Sequence, residues 1–200
     1  MKLNQILLLI VVVCGITASC SKSSDPIIPT VILTPKLGTT WVYQQDKFKA
    51  DGINYITTTV THKATSEVTL GGETWLKITD DTLATVYILK VKTGGLYQYA
   101  NNASQLLCKM PAAVNDVYTA YNRGGNENFT VKQTGITVGS GSANYDNANM
   151  YEGYQGADLW DKIWYNDAVW FARRETWRYD PFLLTFYRKD SRLILKTITY

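Results

Sequence analysis

The chain reads as an all-β protein: a curled antiparallel sheet, β-sandwich or open barrel of about a dozen short strands. Three observations predict this. Short stretches rich in Thr, Tyr, Val and Ile alternate apolar with polar residues, as a half-buried strand requires. Gly-containing turn signals separate these stretches at close intervals. No run of about 12 residues keeps a convincing helical period.

Taken in order, residues 41–49 form the first strand candidate, and Asp51-Gly52 turns it into 53–61. Gly71-Gly72 separates 67–70 from 73–79, a hairpin pattern. In 85–92, Tyr87, Leu89 and Val91 share one face, and Gly94-Gly95 leads into 96–100. The next candidate, 105–110, stops at Pro111. A short helix is compatible with 112–122. Further candidates are 128–133, 136–138, 149–154, 159–165, 168–176, 182–189 and 192–200.

Composition narrows the function classes. The 200 residues are 46% hydrophobic and 18% charged, with 14 Tyr, 6 Trp and a formal charge of +3 from 20 basic and 17 acidic side chains. That apolar share is ample for a core and argues against disorder. The near balance of charge lacks the basic concentration of a nucleic-acid-binding protein, so no nucleic acid partner is expected.

Residues 1–19 read as a signal peptide. Lys2 supplies the positive region and Ile6 to Val13 an unbroken apolar run. The apolar stretch is too short to span ~30 Å of hydrocarbon. Thr17, Ala18 and Ser19 then precede Cys20, an arrangement that resembles the lipobox of bacterial lipoproteins, in the looser form of Bacteroidota. Thr17 stands where Leu is usual. Cys14 fits poorly because Val13 before it is bulky. The resemblance implies acylation of Cys20 on its sulfur and amine, and a membrane partnership through that lipid anchor. The expected location is the cell envelope, anchored at the outer membrane. Residues 20–35, rich in Ser and Pro, read as a tether, and 36–200 as a single β-rich domain. Cys108, in an apolar setting, then has no partner for a disulfide and is expected to be a buried small hydrophobe.

The domain opens with Leu37-Gly38-Thr39-Thr40-Trp41-Val42-Tyr43. This resembles the Gly-x-x-Trp-x-Tyr opening of a group of uncharacterised bacterial envelope lipoproteins. Gly71-Gly72-Glu73-Thr74-Trp75 resembles that group's Gly-x-x-aromatic hairpin. Met110-Pro111 through Tyr118 resembles its Leu-Pro-x-x-x-Gly-x-x-Trp segment, with Asn115 and Tyr118 replacing Gly and Trp. Ile136 to Gly141 resembles a later Val-x-Val-Pro-x-Gly strand without the Pro. The resemblance implies a curled antiparallel sheet and transfers no catalytic residue.

Catalytic chemistry finds little footing, and no enzyme activity or cofactor is expected. His62 is the single His, read as a strand-surface residue, so no His or Cys/His metal cluster forms. The Gly-x-Ser-x-Gly elbow is missing. Glu73, Asp80, Asp81, Glu152, Asp158, Asp161 and Asp167 supply carboxylates, but without a distinctive spacing. Asp80-Asp81 and 144–149 read as turn residues rather than calcium loops.

The informative feature is aromatic. Trp160, Trp164, Trp170 and Trp177 cluster, with Tyr151, Tyr154, Tyr165, Phe171, Tyr179, Phe182, Phe186 and Tyr187 around them. Strand alternation puts Trp160 and Trp164 on one face and Leu159, Ile163 and Tyr165 on the other. Both faces therefore carry large groups: one is core, and the other is a packing layer or a stacking platform. Arg173, Arg174, Arg178, Arg188 and Arg192 are expected on solvated faces and turns, with binding of anionic groups or cover of aromatic rings as the alternatives. The expectation is a non-enzymatic envelope module that binds a glycan or envelope component through these four Trp. The alternatives are a structural or protein-interaction subunit of an envelope assembly and a lipid carrier.

Overall fold

The structure, a computed structural model, describes residues 34–141, 143–179 and 187–200. The leader 1–19, Cys20 and the tether up to residue 33 lie outside the described residues, as do Phe182 and Phe186.

Twelve strands join one antiparallel sheet: β1 (Thr40–Phe48), β2 (Tyr55–Leu70), β3 (Glu73–Thr79), β4 (Thr85–Lys92), β5 (Gly95–Ala100), β6 (Ala103–Lys109), β7 (Val117–Asn122), β8 (Gly125–Gly139), β9 (Asn144–Gln155), β10 (Asp158–Asn166), β11 (Trp170–Tyr179) and β12 (Tyr187–Thr199). Across the sheet they run β6-β5-β4-β3-β2-β1-β12-β11-β10-β9-β8-β7. Every pairing joins sequence neighbours except β1–β12, where Trp41 faces Ile198 and Asp46 faces Arg192, while β6 and β7 stand at the two ends of the order. No helix occurs among the described residues.

The sheet curls into a nearly closed barrel in which β6 and β7 approach each other. Side chains bridge that seam. The Tyr118 hydroxyl donates to the Leu107 carbonyl at 2.8 Å, and the Tyr121 amide donates to Gln105 Oε1 at 3.2 Å. Gln98 Nε2 donates to the Tyr121 carbonyl at 2.9 Å.

Alternation sets what faces inward. In β10, Asp161, Ile163 and Tyr165 are buried while Trp160, Lys162 and Trp164 are half-buried on the other face. At the start of β1, Gly38 (φ 91°) turns the chain where a side chain would be strained. Trp41 and Tyr43 then point inward and are almost fully buried. Trp41 stacks on Trp170 at 5.6 Å and donates its indole N–H to the Val169 carbonyl at 2.8 Å. The core continues through Leu89, Leu96, Cys108, Phe129, Tyr151, Ile163 and Leu195, each 0–1% exposed. Each such side chain contributes on the order of 1.5–3 kcal/mol when buried.

Some local expectations are corrected. The candidates 53–61 and 67–70 merge into one strand, β2, which starts at Tyr55, because the ladder continues past an irregularity between Ala64 and Ser66. Likewise 128–133 and 136–138 merge into β8 across an irregularity between Gln133 and Ile136. The segment compatible with a helix holds β7 instead; its Val-Tyr-Thr-Ala-Tyr run alternates and favours a pleated surface. His62 is not on the strand surface. It lies opposite Trp41, shares its inward face and is 6% exposed.

Candidate ligand-binding cavity

The inward face changes character along the strands. On β1 it runs from Trp41 and Tyr43 to Gln45 and Lys47; on β11 from Ala172 to Arg174 and Thr176; on β12 from Leu195 to Leu193 and Ser191. Where these residues are large and apolar the interior is packed. Between Trp41, Tyr43, Ile78, Tyr87 and Phe171 only about 10 Å³ is left. Where they turn polar, the interior opens into a cavity of about 590 Å³. Its wall combines Gln45 and Lys47, Val60 and His62 of β2, Asp80, Asp81 and Thr82 of the β3–β4 turn, Val86 and Tyr87, Arg123 of the β7–β8 turn, Arg174, Thr176, and Asp190, Ser191 and Leu193.

Tyr87 forms one side. Its ring lies 5.2 Å from Phe171 and 5.9 Å from His62. Its hydroxyl accepts from Arg174 Nη1 at 3.1 Å. Arg174 is itself held by Asp161: Nε lies 3.1 Å from each carboxylate oxygen, and Nη2 also donates to Oδ2. Asn122 Nδ2 donates to Asp161 at 2.9 Å and to Glu127 Oε1 at 3.1 Å. The Arg174, Asp161 and Glu127 side chains are nearly or fully withdrawn from solvent. Hydrogen bonds satisfy both partners of the Arg174–Asp161 pair and so offset the desolvation that burying the two charges costs. The expectation that Arg174 sits on a solvated face is therefore corrected. Arg174 instead covers aromatic rings, 5.5 Å from Tyr87 and 5.8 Å from Phe171, as Arg173 covers Trp164 at 4.7 Å and Arg192 covers Tyr55 at 5.3 Å.

Burial dominates the titration of two groups here. His62 is pushed down to about 4 by desolvation, so it is neutral at physiological pH. Glu127 is pushed up to about 7, first by burial and then by the Asp161 charge; Arg174 and the Asn122 hydrogen bond oppose this. Its Oε2 has no hydrogen-bond partner among the described residues. At the cavity mouth, Asp80 accepts from the Thr82 hydroxyl at 2.7 Å and the Ala84 amide at 3.0 Å, which holds its carboxyl below the usual range. Asp81 accepts from the Thr61 amide at 2.9 Å. Arg123 Nη1 donates to the Trp160 and Trp177 carbonyls at 2.8 and 2.9 Å, tying its turn to β10 and β11.

The four Trp singled out in the sequence do not converge on this cavity. Trp160 is half-buried at a ladder irregularity, 5.8 Å from Arg123. Trp164 is half-buried on the outer face beneath Arg173 and Lys162. Trp177 lies 5.2 Å from Lys189. Trp170 is 2% exposed and belongs to the core, because its positive φ (65°) takes it off the strand alternation and onto Trp41. The singled-out carboxylates are dispersed too: Glu73 pairs with Lys92, Glu152 with Lys162, and Asp161 with Arg174. No group of three or more His, Cys, Asp or Glu is placed to hold a metal ion among the described residues. Tyr87 and Gln45 carry no sequence signal of a site. One signal for the buried charges was present: Asp161 shares the parity of Ile163 and Tyr165, so it had to face inward with them.

The fold and this site define a nearly closed antiparallel β-barrel with a polar cavity at one end. The chain matches no protein-family model and no curated protein. Among solved structures it is similar to a Bacteroides fragilis protein described as exported, with a YmcC-like fold. The TM-score is 0.45 at 11% sequence identity, over 84% of this chain and 99% of that one.

Proposed function

We propose that this chain is an exported, lipid-anchored envelope module that binds a short, uncharged glycan in the cavity beside Tyr87 and performs no chemistry on it. The carrying observation is the change of the inward face from packed aromatic to open and polar, leaving about 590 Å³ beside an aromatic ring. That volume is in the range of small-molecule sites. The wall offers what a sugar needs. Tyr87 presents an apolar ring with a polar edge, while Gln45, Thr82, Thr176 and Ser191 present amide and hydroxyl groups. Lys47, Arg123 and Arg174 are balanced by Asp80, Asp81 and Asp190, which disfavours a strongly charged ligand. The same charges disfavour an acyl chain, which would strip their water without replacing its hydrogen bonds. Export and acylation at Cys20 rest on the leader and lipobox-like segment alone.

The test is calorimetric titration with a panel of neutral oligosaccharides. Wild-type protein should bind a member of the panel, and Gln45→Trp, which projects a bulky ring into the cavity, should weaken or abolish binding while circular dichroism is unchanged. No binding across the panel, or binding that Gln45→Trp leaves undiminished, would refute the reading.

A further inference from the structure

β2 is covered along only part of its length. From Lys63 to Leu70 it pairs with β3, whereas from Tyr55 to Thr61 it pairs with β1 alone. Residues Tyr55 to Thr59 are exposed, Tyr55 to 47% and Ile56 to 59%. Ladder parity decides which backbone groups are free. The Asn54 carbonyl accepts from the Lys49 amide, so even-numbered residues address β1. The Thr61 amide points the other way, to Asp81. Thr57 and Thr59 share its parity, so their N–H and C=O groups project from the edge, with no partner among the described residues. Exposed edges are ordinarily guarded by Lys, Pro, a bulge or a cover. The stretch Tyr55-Ile56-Thr57-Thr58-Thr59-Val60-Thr61 has no charged residue and no Pro, and its pairing with β1 runs without a bulge.

We infer that this edge pairs with the same edge of a second copy of the chain. The sequence is self-complementary about Thr58. In an antiparallel pairing with its two-fold axis there, Thr57 faces the partner's Thr59, Ile56 faces the partner's Val60, and Tyr55 faces the partner's Thr61. Thr57 with Thr59 is then the hydrogen-bonded pair, as their outward groups demand, and Thr58 meets its own copy in a non-hydrogen-bonded pair. The interface is isologous, so it closes at two copies and consumes the unguarded edge. Ile56 and Val60 pair as apolar cross-strand neighbours, which removes the exposed Ile56 from water. Val60 also lines the cavity, so the partner's Ile56 comes to lie beside that wall. This inference does not depend on what the cavity binds.

Cysteine crosslinking of the intact chain in its membrane tests it. At the axis the two Thr58 Cα atoms stand ~4.5 Å apart, within disulfide reach. Thr58→Cys should therefore form an interchain disulfide well above the background of the unsubstituted chain, whose Cys108 is fully buried. Ile56→Cys alone should not, because it stands ~13 Å from its own copy; combined with Val60→Cys it should. Thr59→Pro removes an outward N–H and leaves the β1 ladder intact. It should abolish the Thr58→Cys crosslink and convert a dimer to a monomer in detergent sedimentation, with unchanged circular dichroism. A wild-type monomer, a Thr58→Cys crosslink no stronger than that of Ile56→Cys, or a crosslink unaffected by Thr59→Pro would overturn it. So would an edge occupied by a different protein.

Discussion

Replacing Glu127 by Gln should reverse a pH dependence built into the interior. Glu127 is 0% exposed, beside Phe129 and Gly153, whose missing side chain leaves room for the carboxyl: a Cβ there would lie 2.4 Å from Oε2. Its carboxyl is raised from 4.5 to about 7. At about 1.36 kcal/mol per pH unit, ionised Glu127 costs the fold on the order of 3 kcal/mol. The sign follows from proton counting. Between pH 4.5 and 7 the folded chain keeps a proton that the unfolded chain has released, so this contribution is complete below 4.5 and is lost as pH rises through 7. His62 acts oppositely. Its folded value of about 4 lies below the ordinary 6.5, so its contribution is complete above 6.5 and is lost as pH falls through 4. The two slopes offset each other in wild-type protein across their overlap. Gln keeps an acceptor for Asn122 Nδ2 and cannot ionise. Urea unfolding of both proteins from pH 4.5 to 8.5 isolates Glu127, because His62 is common to both. The Gln variant should match wild type at the acid end and exceed it by about 3 kcal/mol at the alkaline end. Stability curves that stay parallel across this range would refute the reasoning.

Two further substitutions probe the rest of the interior. Arg174→Met leaves Asp161 a buried charge with Asn122 as its remaining hydrogen-bond donor, and should cost about 3–5 kcal/mol in chemical denaturation; adding Asp161→Asn should recover a large part. Trp170→Ala empties the stack on Trp41 and should cost about 3–5 kcal/mol, whereas Trp177→Ala, half-buried beneath Lys189, should cost about 1 kcal/mol by the same measurement. Equal losses from the two Trp would contradict the burial assigned to them.

The strands were largely legible because alternation is a local property. Tyr87 and Leu89 of β4, and Ile163 and Tyr165 of β10, face inward as their spacing predicts. Misreadings arose where local signals conflict with pairing. The gap left between 61 and 67 is strand throughout, because β3 keeps pairing on both sides of the irregularity at Thr65. The site was much less legible. Clustered Trp in sequence suggested a shared surface, yet hairpin geometry sends Trp164 outward and the turn before β11 sends Trp170 into the core.

By itself the sequence determined the all-β class, the hairpin turns at Asp51-Gly52, Gly71-Gly72 and Gly94, and the burial of Cys108, since pleat periodicity and turn chemistry act over a few residues. The tertiary structure alone decided that β1 pairs with β12, that Arg174 reaches Tyr87 and Asp161, and that the cavity opens where it does. Those contacts join residues as far apart as Gln45 and Leu193. They depend on how the whole sheet twists and curls, which no short stretch of sequence encodes.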